Sequence, residues 1–213
     1  MPYHITHRGV RRSDVFWDDS DRLNYLRLFR TACELFHLRI CAYCLMSNHV
    51  HFVAIPDRLD SIAKTFHWCH STYDREFNRK YQLTGNLWEG RPFSALLDQE
   101  HLWAAVKYVE QNPVRAHMVE DPCDYEWSSA KAHCGLTRDA LLDPDFPPPG
   151  IIPDWKSWLA VENDEKTNAF IRKRTAAGRP CGNQSFIASI EHLSGRKLLP
   201  NRRGRPSRSP NRQ

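Results

Sequence analysis

The stretch CLMSNHVHFVAIP, residues 44–56, decides the fold and raises the question of function. It joins the apolar run RICAYCLM, residues 39–46, to the run HVHFVAIP, residues 49–56, through a short SN turn, which predicts an antiparallel β-hairpin. Residues i and i+2 of a strand share a face, so His49 and His51 project together. Two neutral imidazoles on one face can bind a divalent cation, although two half-exposed histidines on a solvent-facing strand give the same pattern.

The hairpin lies within a longer alternation of predicted strands and helices. A strand (residues 3–9) and a helix (residues 18–38) precede it, whereas a helix (residues 59–81), a strand (residues 87–98) and a third helix (residues 99–112) follow it. This order predicts an α+β fold with a ferredoxin-like antiparallel sheet and helices on one face.

Apolar stripes at helical spacing identify the faces that the two long helices bury. In the first helix the predicted stripe is Leu23, Leu26, Phe29, Cys33 and Phe36. In the second helix it is Ile62, Phe66, Cys69, Tyr73 and Phe77.

The composition changes near residue 141, where LLDPDFPPPGIIPDW introduces five prolines that no continuous helix or central strand tolerates. We therefore predict a main domain over residues 1–140, a proline-rich linker over 141–155 and a small helical region over 156–199. Residues 200–213 have few apolar side chains and are predicted to form a basic disordered tail.

Overall composition predicts a soluble, cytoplasmic protein without a membrane association. Hydrophobic residues make up 41% and charged residues 26% of the 213 residues, and no apolar run approaches the roughly 18 residues of a membrane span.

The odd number of cysteines, seven, favours reduced thiols over a disulfide framework. Cys41 and Cys44 resemble half of a zinc site, but an i, i+3 pair on a strand points to opposite faces and no second pair follows. For HWCH, residues 67–70, ordinary packing is the favoured interpretation, since no further ligand pair accompanies it.

Positive charge is concentrated at the end of the chain. Residues 196–213 hold seven lysines and arginines and no acidic residue, which leaves 23 basic against 25 acidic residues elsewhere. Within this segment RRGRP resembles an AT-hook core, in which Arg203 and Arg205 would enter the narrow minor groove of A/T-rich duplex DNA. A tail that contributes charge alone is the other interpretation. Either one predicts association with nucleoid DNA.

The third helix carries the residues that complete a candidate site. In KYVEQNPVRA, Tyr108 and Asn112 are spaced i, i+4 and share one helical face. If that face packs over the histidine strand, the Asn112 carbonyl oxygen completes a His, His, amide-oxygen site with a phenol beside it. Tyr108 alone is also consistent with an amphipathic helix whose tyrosine hydroxyl reaches the rim.

Taken together, the segments MSNHVHF, GNLWEGR, KYVEQNPVRA and YEWSSA resemble the HUH single-strand transposases with one catalytic tyrosine, and especially the REP-associated tyrosine transposases. The resemblance covers about residues 3–135 and implies that residues 1–140 are an HUH-type transposase and endonuclease domain. Two positions depart from the family pattern: His7 replaces a common glutamine and Asn86 a common histidine.

The resemblance implies a role for each residue of the candidate site. Tyr108 would be the nucleophile, and His49, His51 and Asn112 would bind Mg²⁺ or Mn²⁺. The expected reaction joins the tyrosine to a 5′ phosphate of single-stranded or hairpin DNA and releases a 3′ hydroxyl. A non-catalytic DNA-binding protein and a metal-dependent phosphoesterase that uses water are the alternative functions.

Three further residues are candidates for DNA contact. Arg91 and Arg115 would bind phosphate, and Trp88 would stack on a base, a usual combination for single strands. Surface ion pairs for the arginines and core packing for the tryptophan are equally good interpretations. The sequence leaves open whether the protein is a monomer or a homodimer.

Overall fold

The computed structural model describes residues 1–161 and 163–198, which form four β-strands and eight α-helices. The strands are β1 (Tyr3–Arg8), β2 (Leu38–Leu45), β3 (His49–Pro56) and β4 (Phe93–Leu96). The helices are α1 (Asp19–Phe36), α2 (Ser61–Tyr81), α3 (Gln99–Glu110), α4 (Asn112–Arg115), α5 (Ala130–His133), α6 (Trp155–Ala160), α7 (Glu165–Ala176) and α8 (Gln184–Ser194).

The four strands form one antiparallel sheet in the order β2-β3-β1-β4. From β1 to β4 the chain runs strand, helix, strand, strand, helix, strand, so the predicted α+β class with a ferredoxin-like sheet is confirmed. Opposite residues of an antiparallel pair share a face, and in the β1–β3 register Thr6 pairs with His51 and Arg8 pairs with His49. The register therefore places β1 side chains beside both histidines.

Helices cover both faces of the sheet, so the prediction that they lie on one face is wrong. The first core cluster joins α1 and α2 to one face of β3 through Val50 and Phe52. The second cluster joins α3 and α7 to the other face, which carries Val53. The reason is visible in β2, where seven of eight residues are buried: a strand that is apolar on both sides needs cover on both sides.

A β-bulge in β2 changes the orientation of its cysteines. The register shifts between Ile40 and Ala42, and as a result Cys41 and Cys44 both belong to the second core cluster. The predicted opposite orientation of the two thiols is therefore wrong. Burial raises the pKa of Cys41 to about 12, which keeps this thiol protonated.

The two long helices differ in how well their apolar stripes were predicted. The buried apolar side chains of α2 are Phe66, Cys69, Tyr73 and Phe77, as predicted, with Ile62 packed at the edge. Those of α1 are Tyr25, Leu28, Phe29, Ala32 and Cys33. Leu23 is 60% exposed, so the true stripe of α1 is rotated from the predicted one.

The C-terminal helical segment packs on the second face of the sheet. Ile171 of α7 and Cys181 are fully buried there, and the Cys181 backbone N–H donates to the Leu96 carbonyl at 2.7 Å. The proposed boundaries near residues 140, 155 and 199 stay a prediction. Within the described ranges, no helix combines the length and hydropathy that a bilayer-crossing segment needs.

Candidate active site

One cavity of about 400 Å³, on the face covered by α3 and α7, is lined by all four residues that the sequence predicts for the site. β3 contributes His49 and His51, α3 contributes Tyr108, and α4 contributes Asn112 as its first residue. The rings of His49 and His51 have centroids 4.9 Å apart, and the rings of His51 and Tyr108 have centroids 5.7 Å apart at 85°. The fold thus brings a phenol and two imidazoles from distant parts of the sequence around one space.

A buried carboxylate fixes the rotation of α3. The Glu110 side chain is fully buried and accepts hydrogen bonds from Ser129 Oγ (2.5 Å), His133 Nδ1 (2.6 Å) and Trp155 Nε1 (2.8 Å). Two residues along a helix correspond to about 200° of rotation, so Tyr108 points away from this anchor and toward the cavity.

The residue before His49 determines which of its nitrogens is free. Asn48 Nδ2 donates to the Arg12 carbonyl at 3.1 Å, which identifies Asn48 Oδ1 as the acceptor of the 2.6 Å contact with His49 Nδ1. The proton of neutral His49 therefore lies on Nδ1. Its Nε2 keeps a lone pair and has no hydrogen-bond partner within the described part of the chain.

His51 is held by a chain of buried side chains. Its Nδ1 lies 3.0 Å from His4 Nε2, and His4 Nδ1 lies 2.8 Å from Thr175 Oγ1. The two imidazoles are stacked, with ring centroids 5.2 Å apart. His51 Nε2, like that of His49, has no hydrogen-bond partner among residues 1–161 and 163–198.

Burial keeps these imidazoles neutral. It lowers the pKa of His49 to about 4, with a further contribution from the positive charge of Arg8, and lowers the pKa of His4 to about 3. The pKa of His51 also falls well below its usual value, first because of burial and then because of the neighbouring histidines. Neutral imidazoles at physiological pH are the form that binds a metal ion.

Three arginines surround the phenol. Arg115 lies with Cζ 4.2 Å from the Tyr108 ring centroid and donates from Nη2 to the Tyr108 carbonyl at 2.5 Å. Arg8 and Arg172 line the cavity itself. The hydrogen bond to Glu165 raises the pKa of Arg172, and the nearby Tyr108 contributes in the same direction. The cavity is therefore suited to an anion beside the tyrosine.

The donor set at this cavity fits a divalent cation. His49 Nε2 keeps an unshared lone pair, His51 Nε2 has no hydrogen-bond partner, and Asn112 Nδ2 is buried without a partner among the described residues. Because the amide oxygen and nitrogen have nearly the same shape, the amide turned by 180° offers Oδ1 to a cation. The described residues contain no group of three or more His, Cys, Asp or Glu side chains with metal-binding geometry, so the candidate set depends on this amide.

The predicted DNA-contacting residues lie in three different environments. Trp88 is 6% exposed and stacks on His70 with centroids 4.1 Å apart, a position that favours the core-packing interpretation over base stacking. Arg91 is exposed beside a groove on the opposite face of the sheet, away from Tyr108. Arg115 contacts Tyr108, as described above. Arg203 and Arg205 lie outside the described residues.

Among the residues of the same cavity that sequence reasoning missed are His4, Arg8, Arg172 and Thr175. The sequence does contain a signal for His4 and Arg8. Side chains of the strand YHITHRG alternate between the two faces of the sheet, and its even-numbered residues share a face with His49 and His51. No local signal marks Arg172 and Thr175. They reach the site only because α7 packs against the sheet.

Comparison with known proteins identifies the family of the chain. A family model described as IS200-like transposase matches residues 1–112, which is more than half of the chain. The chain therefore belongs to the IS200-like transposase family, whose members are DNA-processing enzymes.

The solved structures that are similar to this chain include the following two. One is a REP-associated tyrosine transposase bound to a REP hairpin, at 16% identity and a TM-score of 0.50, covering 67% of this chain and 90% of that chain. The other is assigned as a transposase from Deinococcus radiodurans R1, at 17% identity and a TM-score of 0.38, covering 52% of this chain and 89% of that chain. At such identities the first likeness shows a shared fold. A comparison with curated proteins gave no match.

Proposed function

We propose that this protein is a metal-dependent single-strand DNA endonuclease and strand transferase that acts through a 5′-phosphotyrosine intermediate. Tyr108 is the nucleophile, and His49, His51 and Asn112 hold Mg²⁺ or Mn²⁺. One observation carries the proposal: a phenol and two imidazoles, whose Nε2 atoms have no hydrogen-bond partner in the described ranges, line one cavity that also contains arginines.

The reaction preserves the energy of the bond that it breaks. The Tyr108 oxygen attacks the scissile phosphorus and forms a P–O bond, while the bond from phosphorus to the 3′ oxygen breaks. The phenol proton passes to solvent, and the departing 3′ oxygen takes up a proton. Attack by a 3′ hydroxyl on the phosphotyrosine reverses these steps, so a strand is transferred without ATP.

The cavity residues hold the phosphate in place. A divalent cation bound by the two imidazoles and the amide would polarise the scissile phosphate as a Lewis acid. Imidazole donors favour Mn²⁺ over Mg²⁺, although both fit a site that leaves positions open for phosphate oxygens. Arg8 and Arg172 add positive charge at the cavity wall, and Arg115 holds the far side of the phenol ring.

The proposed substrate is single-stranded or hairpin DNA. The similar structure holds a REP hairpin, and the arginine-lined cavity of this chain favours a phosphate ligand. We further propose that Arg203 and Arg205 in the tail bind A/T-rich duplex DNA, on the basis of the RGRP sequence alone. The protein is also proposed to act on nucleoid DNA in the cytoplasm, as a monomer or homodimer.

Covalent capture tests the role of Tyr108. The full chain is incubated with a fluorescent hairpin oligonucleotide and Mn²⁺, and denaturing electrophoresis measures the protein–DNA adduct. Tyr108→Phe should reduce the adduct by at least ~1,000-fold, because the nucleophilic oxygen is gone. Tyr3→Phe, on the opposite face of the sheet, is the matched control and should keep wild-type yield.

The same experiment separates the alternative functions. Adduct that persists in Tyr108→Phe would show that another residue attacks. Cleavage without adduct in the wild type would indicate a phosphoesterase that uses water. Hairpin binding with neither product would indicate a non-catalytic DNA-binding protein.

A further inference from the structure

The hydrogen-bond chain behind His51 begins outside the part of the sequence that the family model matches. Thr175 lies on α7, whereas the family match covers residues 1–112. Thr175 and His4 are each 1% exposed, so no solvent molecule substitutes freely for either partner. The chain Thr175–His4–His51 therefore connects a C-terminal helix to a proposed metal ligand through side chains alone.

Two proton arrangements fit this chain, and they differ at the cavity. If Thr175 donates to His4 Nδ1, then His4 Nε2 donates to His51 Nδ1, and the proton of His51 must lie on Nε2. In the reverse arrangement His51 Nδ1–H donates to His4 Nε2, and His4 Nδ1–H donates to Thr175 Oγ1. Only the second arrangement leaves a lone pair on His51 Nε2.

We propose that Thr175 is a positioning residue for the candidate metal site, acting through His4 to hold His51 with its Nε2 lone pair toward the cavity. This inference rests on the proposed function, because it assigns His51 as a ligand. Hydrogen-bond partners of metal-binding histidines fix both the tautomer and the orientation of the ring. Thr175 can accept the final hydrogen bond, whereas valine of the same shape cannot.

The packing of α7 fixes the position of Thr175. Ile171, one turn earlier on α7, is fully buried in the second core cluster, and Arg172 lines the cavity together with Thr175. The same helix thus supplies an arginine to the cavity wall and a hydroxyl to the chain behind His51. A change in the packing of α7 would alter both.

Metal binding by the full chain, without DNA, tests the proposal. Mn²⁺ affinity measured by electron paramagnetic resonance should weaken about 10- to 100-fold in Thr175→Val and remain near wild type in Thr175→Ser. Thr65→Val is the matched control: Thr65 is equally buried, its Oγ1 has no partner in the described ranges, and it lies on α2. Affinity in Thr175→Val within twofold of wild type would overturn the proposal.

Nitrogen-15 NMR of the histidine rings gives a second readout that needs no metal. The expected spectrum of the wild type shows the His51 proton on Nδ1, with scalar coupling across the hydrogen bond to His4 Nε2. A proton on His51 Nε2 would overturn the proposed arrangement. His51→Ala separates this proposal from the proposed function. If Mn²⁺ affinity is unchanged in His51→Ala, His51 is not a ligand, and both the proposed function and the positioning role of Thr175 fail. If Mn²⁺ affinity falls in His51→Ala but not in Thr175→Val, only the positioning role fails.

Discussion

Each face of the sheet carries a histidine network, and the two networks differ in what they leave unbonded. On the α1/α2 face, His7 Nε2 donates to the Glu89 carbonyl, so its Nδ1 accepts from His70 Nδ1 at 2.7 Å, and His70 Nε2 accepts from the Tyr25 hydroxyl at 2.8 Å. All four ring nitrogens are used. On the α3/α7 face, the Nε2 atoms of His49 and His51 have no hydrogen-bond partner among the described residues, and both rings line the cavity together with Tyr108. Ring nitrogens left without a partner at a cavity, rather than histidine pairs as such, distinguish a candidate metal site from structural packing.

The largest expected difference between the two faces is in metal binding. His49→Ala and His51→Ala should each weaken Mn²⁺ binding by at least ~100-fold, since each removes a ligand. His70→Gln should leave the affinity within twofold of wild type, because no lone pair of His70 is available in the native network. Isothermal titration calorimetry of the three variants measures the contrast. Equal losses in all three would mean that the comparison does not separate ligand from structural histidines.

This contrast also shows what could be predicted from the sequence. The alternation of the hairpin predicted that His49 and His51 share a face, and the helical spacing predicted that Tyr108 and Asn112 share one; the structure places all four at one cavity. Local periodicity sufficed because each pair lies within one element or its immediate continuation. Their catalytic and metal-binding roles stay a prediction.

What the sequence could not supply depends on contacts between distant segments. His7 and His4 lie on the same strand, and only the pairing of β1 with β3 and β4 shows which face each one joins. Trp88 was a candidate for base stacking, yet its ring lies against His70 in the core. Thr175 has no motif at all and gains its position from the packing of α7.

The histidine network of the α1/α2 face also predicts pH-dependent stability, as do the lowered pKa values of the histidines on the other face. Burial lowers the pKa of His70 well below its usual value, and the proximity of His7 adds to the effect. The contribution of such a histidine to stability is fully present above the pKa of the unfolded chain, near 6.5. As the pH falls from there toward the lower pKa of the native state, protonation favours the unfolded chain, and the contribution is lost. Between about pH 6.5 and pH 5 the free energy of unfolding should therefore fall by up to about 1.4 kcal/mol per pH unit for this histidine.

Urea unfolding at pH 7 and pH 5 tests the contribution of His70. His70→Gln should lower stability at pH 7 by roughly 1–3 kcal/mol, because Tyr25 and His7 lose a partner, and should show a shallower fall toward pH 5. His67→Gln, an exposed substitution on the same helix, is the control and should keep the wild-type slope. A slope that does not change in His70→Gln would mean that other groups determine the acid sensitivity of this face.

The smallest expected difference concerns the two arginines predicted to bind phosphate, which lie on opposite faces. Arg115 packs on the Tyr108 ring and donates to its carbonyl, whereas Arg91 is exposed beside the groove of the other face. A cation–π contact contributes about 0.5–2 kcal/mol, so Arg115→Met should slow adduct formation at saturating Mn²⁺ by roughly 2- to 30-fold. Arg91→Met should leave that rate within twofold of wild type and act, if at all, on hairpin affinity. Single-turnover kinetics with saturating hairpin separate the rate of adduct formation from hairpin affinity. An equal effect of both variants on the rate would show that Arg115 is a general phosphate contact and does not support the nucleophile.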